Sequence, residues 1–104
     1  MSNPITVTDN PAEGRYEAIV EGYLSEADYT HHGTTITFTH TEVAPELEGQ
    51  GVGSALARFA LEDARAQGLA VIPLCPFIAS YIRRHPEYAE LVPEGERWRV
   101  QAKA

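Results

Sequence analysis

The chain has 104 residues, 43% of them hydrophobic, and a formal net charge of −7. That length suits a single domain, residues 1–104, with a modest core, and the acidic balance argues against a nucleic-acid binder. No apolar run is long enough to span a bilayer, Met1–Pro4 is polar and lacks the apolar stretch of a signal peptide, and a lone Cys75 excludes an internal disulfide framework, so a cytoplasmic protein is expected. The charge is uneven. Residues 1–50 carry nine acids against Arg15 alone, whereas residues 51–104 carry six acids and seven bases. The acidic half is either a solvated surface or one that favours a cationic partner, which would leave an anionic ligand to the C-terminal half.

Ile5 to Val7 alternates apolar and polar residues, as a short strand does. Asn10-Pro11-Ala12-Glu13-Gly14 is a turn cluster, and Arg15 to Val20 reads as a second strand. Glu21-Gly22 marks a hairpin or bulge. Tyr23 to Tyr29 alternates again, with Tyr23, Ser25, Ala27 and Tyr29 on one face and Leu24, Glu26 and Asp28 on the other. His32-Gly33 is a hairpin turn, and Thr34 to Val43, rich in Thr, Ile, Phe and Val, is the strongest strand. These segments predict an antiparallel meander.

Pro45 ends the meander, and the glycine-rich segment Glu48-Gly49-Gln50-Gly51-Val52-Gly53-Ser54 follows. Ser54 to Gln67 has helical spacing, with Leu56, Phe59, Ala60, Leu61 and Ala64 on the buried side, and Gly68 at the C-cap. Leu69 to Leu74 reads as a parallel strand reached through that helix, with Pro73 making its far end irregular. Pro76 opens a second helix running to about Arg84, and Pro86 stops it. Residues 94 to 101 are expected to add a last short strand, with Trp98 as a packing anchor.

A strand, then Gly-x-Gly-x-Gly, then a helix makes an anion site by simple physics. The first helical turn has unpaired N–H groups, the macrodipole adds positive potential, and glycines remove the Cβ atoms that would hold phosphate oxygens away. Gln50, Gly51, Val52, Gly53 and Ser54 are thereby expected to donate backbone hydrogen bonds to a pyrophosphate; the bland alternative is a tight turn without a ligand. A dinucleotide-binding fingerprint does not fit glycines that follow a meander at mid-chain. A P-loop requires a lysine that is absent here.

At this point the chain resembles the GNAT acetyltransferase superfamily, whose hallmark is Arg/Gln-x-x-Gly-x-Gly/Ala at a strand-to-helix junction. The stretch Val43 to Leu56 fits it, with Glu48 at the position usually held by Arg or Gln. Three further segments, His40-Thr41-Glu42-Val43, Ile72-Pro73-Leu74-Cys75-Pro76-Phe77 and Arg84-His85-Pro86-Glu87-Tyr88, narrow the resemblance to the small YjdJ-type GNAT-like domains. The resemblance covers roughly residues 14 to 92.

The resemblance implies an α+β, GNAT-like acyl-CoA N-acyltransferase fold. The implied activity is transfer of an acetyl group from acetyl-CoA, a co-substrate, to a small amine or a peptide amine. It implies further that the backbone of Glu42 and Val43 pairs with the pantetheine arm and that Gln50 to Ser54 hold the pyrophosphate. The thioester end of CoA would lie near Cys75. The position where larger family members place a thiolate-protonating Tyr is occupied by Arg83, with Tyr81 two residues away. The implied partners are acetyl-CoA and an amine acceptor, with neither nucleic acid nor membrane, for a monomer or weak homodimer. The alternative is a non-catalytic CoA-binding or protein-interaction module.

Several residues carry open assignments. Cys75 is a small buried hydrophobe at a strand end, a liner of the acetyl pocket, or a nucleophile activated by the start of the second helix. Glu42 and His40, two apart on one strand, are candidate general bases for the amine; as alternatives, they are a solvent-facing carboxylate and a hydrogen-bonded sheet histidine. Arg83 and Arg84 are helix C-terminal charges or partners of a CoA phosphate. His31, His32 and His40 lack a Cys or carboxylate at ligand spacing, so no metal site is expected.

Overall fold

A computed structural model describes residues 5–101; Met1–Pro4, read above as lacking a signal segment, and residues 102–104 lie outside the described residues. Strands β1 (Val7–Asn10), β2 (Arg15–Val20), β3 (Tyr23–His32) and β4 (Thr35–Glu42) form an antiparallel meander. Helix α1 (Val52–Ala66) crosses to β5 (Ala70–Pro73), which lies parallel to β4, and α2 (Pro76–Arg84) follows. The sheet order is β1-β2-β3-β4-β5. This is the α+β architecture expected from the sequence.

The strands obey the alternation of their side chains. Tyr16, Ala18, Ser25, Ala27, Ile36 and Phe38 are buried on one face, and this face receives both helices. Leu56, Ala57, Ala60, Leu61 and Ala64 of α1 and Ile78 and Ile82 of α2 complete the core. Phe59, expected inside, is 41% exposed and instead lies edge-on against Tyr16, ring centroids 5.9 Å apart. The Tyr16 hydroxyl donates to Asp63 at 2.6 Å, pinning the last turns of α1 to β2.

Glu21-Gly22 closes the β2–β3 hairpin as a two-residue loop with φ of 53° and 83°, the doubly left-handed geometry that matches strand twist. The first strand lies later than its alternation suggested, at Val7–Asn10, and β3 runs on to His32. α2 spans Pro76–Arg84 as expected, with Pro76 in its first turn.

The expected strand over 94–101 is absent. Glu94–Arg99 is a 3-10 helix, favoured by Pro93 and Gly95 and by a Glu96–Arg99 ion pair at 2.7 Å, three residues apart. Trp98 is 62% exposed, covered only by the Arg99 guanidinium 4.3 Å above its ring, so it does not anchor the core. Val92 and Val100 do that instead. A second 3-10 helix, Pro86–Leu91, is clasped to α1: Tyr88 donates to Glu62 at 2.6 Å and Arg65 to the Glu87 carbonyl at 2.7 Å. Burial, then the bond to Glu62, pushes the Tyr88 phenol up to about 12. Among the described residues no helix is long and apolar enough to cross a membrane.

Candidate functional site: the glycine turn and the free edge of β4

The chain leaves β4 through a short 3-10 turn, Pro45–Leu47, and reaches α1 across Gly49 and Gly51, both at φ 80°. A residue with a Cβ resists that backbone. Gly51 is the N-cap of α1 and brings no side chain to cap it, and no acid lies in the first turn. Ala55 makes the first helical bond, to the Gly51 carbonyl at 3.0 Å. The N–H groups of Val52, Gly53 and Ser54 are thus left without backbone partners at the positive end of the helix dipole. Gln50 behaves differently from the expectation: its N–H is taken by the Leu47 carbonyl at 3.2 Å, and its amide reaches back toward the Glu46 carbonyl at 3.5 Å.

These donors open on a cleft of about 430 Å³ lined by Thr41, Val43, Leu47, Glu48, the glycine turn from Gly49 to Ser54 without Gln50, and Phe77. Gly53 is needed for closeness rather than for its dihedrals. A Cβ there would lie 2.6 Å from the Phe77 ring and 3.2 Å from Val43, so the three residues close the cleft floor where α1, α2 and β4 meet. Glu48 is among the lining residues and, as an acid, offers an anion no donor, which leaves anion binding to the backbone.

The cleft continues along an unpaired strand edge. β4 pairs with β5 only from Thr35–Ala70 to Phe38–Pro73, and the last contact is the Cys75 N–H on the Phe38 carbonyl at 2.9 Å. Beyond Phe38, the one strand paired with β4 is β3. A buried Ser25 hydroxyl steadies its exit by accepting the Ala44 N–H at 2.9 Å.

A β-bulge decides which side chains face this cleft. The β3–β4 register shifts between Asp28 and Tyr29: Tyr29 pairs Phe38, Asp28 pairs His40, and Thr39 is left over. The extra residue inverts the alternation. Thr41, opposite buried Ala27, and Val43 turn toward the helices. His40 and Glu42 turn to the opposite face.

Cys75, 2% exposed, is the N-cap of α2, and its thiol donates to the Thr41 hydroxyl at 3.2 Å. The structure therefore brings together Cys75, Thr41, Val43 and the glycine turn, and separates His40 and Glu42 from the thiol. Thr41 is the residue that sequence reasoning missed. Its only signal was its place between two singled-out neighbours.

Arg83 and Tyr81 lie outside the cleft lining. Arg83 donates to the Arg99 carbonyl at 3.0 Å. Tyr81 is buried and stacks on His85 at 4.2 Å, and burial raises its phenol above the ordinary value. Arg84 turns back on its own helix, toward the Ser80 carbonyl at 3.5 Å. His31 bonds the Gly33 carbonyl at 3.0 Å within its own turn, and no group of three or more His, Cys, Asp or Glu among the described residues could hold a metal ion.

On the face away from the helices, none of the side chains along the sheet is buried. It carries two cross-strand rows: Glu17–Glu26–Glu42 and Arg15–Asp28–His40. Arg15 donates to Glu17 at 2.6 Å and lies 3.8 Å from Glu26. Its bond and that from Asn10 hold the Glu17 carboxyl below the usual range. Glu26 goes the other way. The neighbouring Asp28 carboxyl first, then burial and the charge of Glu42, raise it against the pull of Arg15.

A left-handed glycine turn at an uncapped helix start, beside a strand that parts from its parallel neighbour, is the arrangement that the sequence resemblance called for. Comparison with known proteins agrees: the model of the GCN5-related N-acetyl-transferase family matches residues 15–91. No curated protein compared with the chain matches it. On the family match, which takes in β2 through the Pro86–Leu91 turn, the chain belongs to the GCN5-related N-acetyltransferase family.

Proposed function

We propose that the protein transfers the acetyl group of acetyl-CoA to an amine, either a small amine or a peptide amine, in the cytoplasm and as a monomer or weak homodimer. One observation carries this reading: the uncapped start of α1 and the free edge of β4 line a single cleft, with Thr41 and Val43 at one side and Gly51 to Ser54 at the other. The residues fit the co-substrate, since free backbone donors face the cleft and no side-chain cap competes for them.

The N–H groups of Val52, Gly53 and Ser54 hold the pyrophosphate, and the backbone of Glu42 and Val43 pairs with the pantetheine amides as an added strand. The thioester brings an acyl carbon already activated for attack. Thr41, fixed by the Cys75 thiol, positions that end of the cleft. An amine must lose a proton before it attacks. His40 and Glu42, on the face opposite the cleft, are the bases for an amine arriving from that side through the gap between β4 and β5. A thiol that is 2% exposed and bonded to a hydroxyl favours direct transfer over a covalent route through Cys75.

A second reading, a non-catalytic CoA-binding or interaction module, is favoured by one observation. Two further clefts among the described residues, one lined from Gly68 to Arg97 and one from Ile5 to Glu62, include neither His40 nor Glu42 in their lining. Calorimetry with CoA and mass spectrometry with acetyl-CoA over a panel of amines test both. We expect CoA to bind and an acetylated amine to appear, and Gly51→Glu to abolish both. CoA binding without turnover selects the module. Undiminished CoA affinity in Gly51→Glu removes the glycine turn from the site. A stable acetyl group on Cys75 restores the covalent route.

A further inference from the structure

Four carboxylates crowd the uncovered face of the sheet; the strand register sets Glu17, Glu26 and Glu42 in direct opposition, while Asp28 stands between Arg15 and His40. Glu26 faces Glu17 on one side and Glu42 on the other, and Asp28 follows on the same strand and the same face. Like charges directly across a ladder repel. Arg15 is the one arginine in these rows; it bonds Glu17 at 2.6 Å and reaches Glu26 only at 3.8 Å. His40, opposite Asp28, is exposed. One oxygen, Asp28 Oδ1, is buried with no hydrogen-bond partner. A buried, unpartnered carboxylate oxygen beside a second carboxyl is the geometry of an acid–carboxylate pair, in which one proton satisfies both groups.

We propose that Glu26 and Asp28 share one proton and together act as a pH-sensitive latch on the part of β4 that lines the cleft. Protonated, the pair carries a single negative charge and its internal hydrogen bond satisfies Asp28 Oδ1. As pH rises the proton passes to solvent, and the pair becomes doubly negative beside Glu17 and Glu42. The raised Glu26 carboxyl agrees with this arrangement. The repulsion falls on the pair Glu26–Glu42, which follows the Asp28–His40 pair at the bulge. There β4 has no partner strand but β3, because its pairing with β5 stops at Phe38. Loosening that pair therefore loosens the backbone on either side of Glu42, at Thr41 and Val43, both of which line the cleft, while the Cys75 thiol stays on the Thr41 hydroxyl. The latch does not depend on the acetyl-transfer reading.

The sign of the effect follows from linkage. A carboxyl raised in the folded state contributes stability that is complete below its unfolded value and is lost as pH rises through its folded value. Glu17, with its lowered carboxyl, contributes the opposite slope. The comparison of Asp28→Asn with the parent separates the two.

Carbon-detected NMR titration of the Glu26 and Asp28 carboxyls in the full chain is the first test. We expect the Glu26 carbon to titrate above an ordinary glutamate, and to return toward the ordinary range in Asp28→Asn, which keeps the shape and removes the charge. Amide-exchange protection of residues 39–43, measured across the same pH range, is the second. In the parent it should fall by up to about tenfold for each pH unit by which Glu26 is displaced, and it should stay level in Asp28→Asn and Glu26→Gln. An ordinary Glu26 titration insensitive to Asp28→Asn would overturn the shared proton. A parent and variants with the same protection profile would overturn the latch.

Discussion

The two ends of α1 are both turned by a glycine in the left-handed region, Gly51 at φ 80° and Gly68 at φ 69°, yet they do opposite things with the backbone. At the C-terminal end the glycine closes the helix: Gly68 N–H bonds the Arg65 carbonyl at 3.1 Å and Leu69 N–H bonds the Ala64 carbonyl at 2.9 Å, the paired bonds of a Schellman cap. Arg65 adds a positive side chain to that last turn. At the N-terminal end no side chain caps the helix, and three N–H groups are left facing a cleft. One glycine ends a helix, and the other leaves it open. The dihedral alone does not distinguish them; the fate of the neighbouring hydrogen bonds does.

Four substitutions sharpen that contrast. The largest effect is expected at Gly53, where a methyl group meets Phe77 at 2.6 Å and Val43 at 3.2 Å. Overpacking of this kind costs about 1–3 kcal/mol, so Gly53→Ala should lower the denaturant midpoint and weaken CoA binding together. Gly51→Ala and Gly68→Ala each force a Cβ into the left-handed region, for about 1–2 kcal/mol, and have open space around the new atom. Chemical denaturation should find these two alike, while calorimetry should find CoA affinity reduced only in Gly51→Ala. Equal losses of affinity would mean that the ends of α1 do not differ in the way described. The smallest effect is expected from Tyr16→Phe, which removes the 2.6 Å bond to Asp63 near the closed end. Gln67 still donates to the same carboxylate oxygen at 2.8 Å, so unfolding should register about 0.5–1.5 kcal/mol, with CoA affinity unchanged.

Much of this was legible in the residues. Alternation in Tyr23 to Tyr29, the Glu21-Gly22 hairpin, the cap at Gly68 and Pro76 at the start of α2 each have a local physical cause, and each appears where that cause places it. The glycine turn was legible for the same reason. The bulge was not. Thr39-His40-Thr41-Glu42 contains no apolar residue, so nothing in the string marks which face each residue takes. His40 and Glu42 were rightly placed on a shared face, but which face it was depended on one unpaired residue. The occupied N–H of Gln50 was hidden too, because it depends on the 3-10 turn at Pro45–Leu47. Phe59 and Trp98 were misjudged on hydrophobicity alone, a weak guide for an aromatic that needs only one covered side.

The bulge at Thr39 makes the site sensitive to register rather than to the residue that forms the bulge. Thr39 is exposed, and its hydroxyl makes only a 3.4 Å contact with the Asp28 carbonyl, so many residues can stand there. Deleting the residue would only straighten the strand and leave Phe38, His40 and Thr41 in the pairs they already make, whereas taking Thr39 into the ladder opposite Asp28 would keep every side chain and exchange their surroundings. His40 and Glu42 would swing under the helices toward Cys75, and Thr41 would pass to the acidic face. Two chemically different clefts are thus encoded one residue apart in the same strand.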